Sequence, residues 1–110
     1  MPPEIFEVAN LKTLILSNNP ISSIPKDIAK LKNLTNLQMN QCSLYDDGIP
    51  EEISALNLEE LSLSGNALTS IKPLTCILSL KRLNASQNEI LEIPLEVTPS
   101  IILDQQVEET

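Results

Sequence analysis

The sequence predicts an α/β solenoid, a short right-handed coil of repeats with a parallel, concave sheet on one side and short helical turns on the convex side. Three observations carry this expectation. The pattern Leu-x-x-Leu-x-Leu-x-x-Asn-x-Leu recurs four times. Nineteen Leu and thirteen Ile dominate an apolar set whose only aromatics are Phe6 and Tyr45, so the core must be aliphatic. The stretches between the copies repeat as well, which makes nearly the whole chain periodic.

The first full copy places Leu11, Leu14, Leu16, Asn19 and Ile21 in the pattern, and the second places Leu34, Leu37, Met39, Cys42 and Leu44. The third has Leu58, Leu61, Leu63, Asn66 and Leu68, and the fourth has Leu80, Leu83, Ala85, Asn88 and Ile90. Their starts are 23, 24 and 22 residues apart. In each copy the Leu-x-Leu core alternates as a strand does, so Leu14 and Leu16 point inward while Thr13, Ile15 and Ser17 point outward. Each strand then meets an Asn turn and a return segment with its own apolar residues. One such unit has nothing to bury them against, and stacking units side by side supplies the partner.

The return segments are too short for a long helix. Pro25-Lys26-Asp27-Ile28-Ala29-Lys30-Leu31 and Pro50-Glu51-Glu52-Ile53-Ser54-Ala55-Leu56 each open with Pro, which suits a position whose N–H needs no helical partner, and carry apolar residues three apart. Both predict a single helical turn. Ile71, Leu74, Ile77 and Leu80 run with period three, and Ile93-Pro94 with Val97 repeats the first two returns. Shifting the first return back by 23 lands on Met1, Pro2, Ile5 and Val8, so the pattern begins mid-repeat. The expected organisation is one solenoid over residues 1–103: a half repeat at 1–10, repeats at 11–33, 34–57, 58–79 and 80–97, and a candidate last strand at 98–103. Ile101 and Leu103 would face inward there. Residues 104–110 form a polar tail.

Four copies of this pattern resemble the leucine-rich repeat family over roughly residues 1–97. The Ile-Pro returns look like its Ras-group intracellular subtype, and the period-three return looks like its phosphatase-regulatory subtype. The resemblance implies that the Asn slot faces inward and tolerates Cys, which gives Asn19, Asn66 and Asn88 a structural role and Cys42 the same one. It also implies a non-enzymatic module that binds proteins on its concave sheet.

Composition removes other classes. Without His, no Ser-His-Asp or Cys-His constellation and no histidine metal cluster can form. Gly48 and Gly65 are the only glycines, so no phosphate-cradling or dinucleotide loop can be written. Asp46-Asp47, Glu51-Glu52 and Glu59-Glu60 are adjacent pairs, poorly placed for acid and base roles. Leu44-Tyr45-Asp46-Asp47-Gly48 lacks the spaced carboxylates of a calcium loop and reads as a small protruding turn, the place of the two extra residues of the second repeat. Cys76 reads as an ordinary small residue of the return path. No catalytic residue, metal or cofactor is expected. A net charge of −8 argues against nucleic acid as a partner, and no apolar run approaches the ~18 residues of a membrane span. Two isolated cysteines and an N-terminus without secretory features lead to the expectation of a cytoplasmic protein.

If the register holds, the outward side chains form rows. One is Thr13, Asn36, Glu60 and Arg82; the next is Ile15, Gln38, Ser62 and Asn84; the third is Ser17, Asn40, Ser64 and Ser86. The first two rows are the candidate partner-binding residues. Two alternatives to this reading remain. One is a partial solenoid that stacks end to end, as a homo-oligomer or within a longer repeat protein. The other is an acidic, histone-binding type of protein, suggested by six acidic and no basic residues from Glu89 onward.

Overall fold

The computed structural model describes residues 3–70, 74, 77–90 and 100–102. Five three-residue strands form one parallel sheet in chain order: β1 (Thr13–Ile15), β2 (Asn36–Gln38), β3 (Glu60–Ser62), β4 (Arg82–Asn84) and β5 (Ser100–Ile102). Leu14, Leu37, Leu61 and Leu83 lie opposite one another in register and all are buried. The fifth strand, an open question in the sequence, is present, with Ile101 opposite Leu83. The expected inward Leu103, the third Ile-Pro return and Cys76 lie outside the described residues.

Short 3-10 turns cover the opposite side: η1 (Pro3–Glu7), η2 (Lys26–Lys30), η3 (Asp46–Gly48) and η4 (Glu51–Ala55). Pro25 and Pro50 take the cap position of η2 and η4, one residue earlier than the first helical position their missing N–H suggested. Five residues allow little more than one turn, and the tighter 3-10 winding aligns residues three apart, so Ile28 and Ile53 both reach the core fully buried.

The core is a continuous aliphatic column between sheet and turns, and its burial shows what stacking accomplishes. Leu34 and Leu58 are fully buried, as are Met39 and Leu63, and Leu44 and Leu68, whereas their first-repeat equivalents Leu11, Leu16 and Ile21 are only partly buried. A repeat layer is sealed by the layer before it.

The backbone ladder continues past each strand. Asn18, Gln41 and Gly65 donate N–H to the carbonyls of Asn40, Ser64 and Ser86 at 2.8, 2.9 and 3.0 Å. To reach the next layer these residues adopt positive φ (65°, 58° and 73°), and Gln87 at the same repeat position does so at 57°. Glycine accepts this conformation without a Cβ penalty, and Asn tolerates it better than Gln does. Gln87→Gly should therefore raise the denaturation midpoint, by about 0.5–1 kcal/mol in stability. A urea titration checks this.

The expected protruding turn at 44–48 is folded in. Gly48 is buried, its carbonyl accepts the Ile24 N–H at 2.7 Å, and the Asp46 carboxylate accepts both the N–H and the hydroxyl of Thr69 in the next repeat. The turn therefore bonds to the repeats on both sides of it. Tyr45 is 46% exposed beside this turn.

Candidate functional site

The Asn slots set the framework on which the outer face rests. Asn66 is buried, and its Oδ1 accepts the N–H groups of Cys42 and Leu44, both at 2.9 Å, while its Nδ2 donates to the carbonyls of Met39 and Leu63 at 2.9 and 2.8 Å. Asn88 repeats the arrangement more sparsely: Oδ1 accepts from the Leu68 N–H at 3.0 Å, and Nδ2 donates to the carbonyls of Leu63 and Ala85 at 2.8 and 3.1 Å. Each carboxamide pairs turn groups of its own repeat and the one before. Cys42 fills the slot with a thiol that donates to the Leu16 carbonyl at 3.2 Å. Asn19, exposed, bonds only the carbonyls of Leu16 and Ser17 in its own turn.

Locked in this way, the strands bring the predicted residues into two adjacent rows. Thr13, Asn36, Glu60 and Arg82 occupy equivalent positions on β1 to β4, as do Ile15, Gln38, Ser62 and Asn84. Six of these eight, Asn36, Gln38, Glu60, Ser62, Arg82 and Asn84, line a shallow concavity of ≈200 Å³ floored by Leu61. Thr13 and Ile15 stand outside it on β1, and Ile15 is 60% exposed.

The charges on this face are matched laterally. Arg82 pairs with Glu60, Lys81 approaches Glu59 at 3.9 Å, and Asn36 Nδ2 donates to Glu60 Oε1 at 3.2 Å. Glu60 and Arg82, opposite charges at equivalent positions of neighbouring strands, are a sign of this pairing that the sequence already carries. These ions are substantially exposed, so the pairs contribute little to stability. Glu60→Gln is expected to change the free energy of unfolding by less than about 1 kcal/mol, as thermal unfolding in low salt would report.

The third row is different. Ser62 Oγ and the Ser64 N–H both donate to Asn40 Oδ1 at 2.7 and 2.8 Å, the Asn40 N–H donates to Ser17 Oγ at 3.0 Å, and Ser64 and Ser86 share a hydroxyl contact of 3.0 Å. Asn84 Oδ1 accepts from the Ser86 N–H and hydroxyl at 3.0 and 2.8 Å. The side-chain oxygens of that row are spent on internal bonds. Among the residues that line the concavity, the side chain of Gln38, the Nδ2 of Asn84 and the Oδ1 of Asn36 have no hydrogen-bond partner.

No group of three His, Cys, Asp or Glu residues among the described ones is placed to hold a metal ion, and no described helix is long and apolar enough to cross a membrane. The concavity is lined by carboxamide, hydroxyl, carboxylate and guanidinium groups.

Family models for leucine-rich repeats match residues 9–50, as two copies, and residues 57–77. The chain belongs to the leucine-rich repeat family. A leucine-rich repeat protein of Leptospira interrogans has a similar structure, with a TM-score of 0.72 and 33% identity over 88% of this chain and 24% of that one. The Dictyostelium discoideum protein named "Probable inactive serine/threonine-protein kinase roco10" is 31% identical over 103 residues, 88% of this chain and 4% of that protein. The rat volume-regulated anion channel subunit LRRC8D is 34% identical over 104 residues, 89% of this chain and 12% of that subunit. The chain therefore spans a quarter or less of each of these leucine-rich repeat relatives.

Proposed function

We propose that this chain is a non-enzymatic protein-binding module, an adaptor that holds its partner on the exposed face of the parallel sheet. Leucine-rich repeats serve as protein-interaction scaffolds, and the relatives carry the repeat within much larger proteins of dissimilar names. The observation that supports the concave face in particular is the concavity itself. Six of the outward residues selected from the repeat register converge there, and three of them, Asn36, Gln38 and Asn84, keep unsatisfied polar atoms. Interfaces of this kind centre on a few residues, so a triple substitution should suffice as a test.

Affinity capture with the intact protein beside a Gln38→Ala, Arg82→Ala, Asn84→Ala variant is expected to lose a discrete set of captured proteins. An unchanged set, with the variant folded by circular dichroism, would remove the concave face from consideration.

A second reading is end-to-end stacking. The partly buried Leu11, Leu16 and Ile21, whose equivalents in inner repeats are sealed, favour it. Light scattering on the 110-residue chain distinguishes the two readings: a mass that rises steadily with concentration supports stacking, and a constant monomer mass argues against it.

A further inference from the structure

We infer that the occupant of the sheet face is an extended, uncharged polypeptide segment held largely through its backbone; this rests on the concave-face reading above. The face offers a mixed set of neutral groups. Gln38 supplies a free carbonyl and a free amide, Asn84 a free amide, and Asn36 an Oδ1 left over after its amide bonds Glu60. An extended segment exposes N–H and C=O groups that require the same mixture of partners. An α-helix has spent those groups within itself.

Charge complementarity selects an uncharged segment. The strands and their flanks carry Lys12, Lys81 and Arg82 against Glu59 and Glu60, and lateral pairing of the last two with Lys81 and Arg82 leaves a single positive charge, on Lys12. The rest of the chain holds thirteen carboxylates against four cations. An acidic segment meets that surrounding field unfavourably. A basic one is drawn by that field at long range but meets on the face only Glu59 and Glu60, already shared with Lys81 and Arg82, and the charge of Lys12.

Direction follows from the row. Ile15, Gln38, Ser62 and Asn84 lie on successive strands spaced about 4.8 Å apart, so the row runs about 14 Å. Four or five residues at about 3.3 Å each span it. A segment crossing the strands can then place one aliphatic side chain on Ile15, 60% exposed at the row's end, and its backbone over the amides. A saccharide also offers mixed donors and acceptors, but its apolar faces are met by rings, and the only described rings are buried Phe6 and Tyr45, which lies outside the concavity.

The test selects binders from a phage library of linear 12-residue peptides, synthesises the best of them, and measures its affinity beside a version N-methylated at alternate backbone amides. The expected result is a binder of low net charge, weakened about tenfold or more both by N-methylation and by the Gln38→Ala, Asn84→Ala double variant. The double variant is first shown to melt at the parent's temperature. Ile15→Ala, which leaves the amides intact, should weaken the same peptide. A binder weakened by the double variant but indifferent to N-methylation would overturn the backbone inference and leave the concave reading standing. Concave-face binding of helical-scaffold proteins or oligosaccharides in place of any linear peptide would do the same. A peptide indifferent to both changes would overturn both readings.

Discussion

Asn66→Leu should lower stability by about 3 kcal/mol or more, because it removes in one step the partners of two buried N–H groups and two carbonyls. Leucine fits the aliphatic surroundings, so the loss measures the orphaned polar groups more than a change in packing. The four equivalent slots supply their own controls. Asn88→Leu leaves the Leu68 N–H and two carbonyls without that amide and should cost less, about 2 kcal/mol. Asn19→Leu removes only contacts within an exposed turn and should cost under about 1 kcal/mol. Chemical denaturation of the three variants should rank them in that order. Equal midpoints would mean that the carboxamides do not join the repeats.

Gly48→Ala is the second large effect. A methyl group at this position would stand 2.3 Å from the Ser22 carbonyl oxygen and 2.9 Å from Ser23 Cα. Both are backbone atoms of the preceding repeat, so the turn must move as a whole and weaken the bond between the Ile24 N–H and the Gly48 carbonyl. A loss of about 2–3 kcal/mol is expected, in the upper range for overpacking. Gly65→Ala is the contrasting case. Its new methyl meets the far end of Gln41, a side chain that can swing away, so the principal cost is the positive φ of 73°, about 1 kcal/mol. Thermal unfolding of the two variants separates a close backbone approach from a conformational requirement.

Most of the fold was legible because a repeat reveals its register wherever it recurs. Leu14, Leu37, Leu61 and Leu83 could be aligned from spacing alone, and the strand pairing follows that alignment residue for residue. The turn at 44–48 was not legible, since one extra stretch has no second copy to compare with. Asp46 and Gly48 act on Thr69 and Ile24, about a repeat away on either side, and no local pattern announces such contacts. β5 was only half legible for the same reason: Ile101 lacks the Leu-x-x-Leu frame that identifies the other strands.

The rows of the candidate site came from the same register, but not their internal economy. Sequence alone treats Gln38 and Asn40 as equivalent outward amides. The structure separates them, because the Asn40 Oδ1 accepts from Ser62 and Ser64 on or beside the next strand, whereas both ends of the Gln38 carboxamide retain their bonding capacity. Which polar side chain is free depends on which groups the neighbouring repeats bring within reach of it, and spacing in a sequence carries no such information.

The measurement that tests the central claim most directly is a side-chain amide spectrum of the 15N-labelled protein titrated with a captured partner or selected peptide. The account predicts that the NH₂ signals of Gln38 and Asn84 shift together with binding, while the backbone signals of η2 and η4 stay in place. Shifts confined to Lys26–Lys30 and Glu51–Ala55, with Gln38 and Asn84 unmoved, would place the partner on the convex side and contradict it.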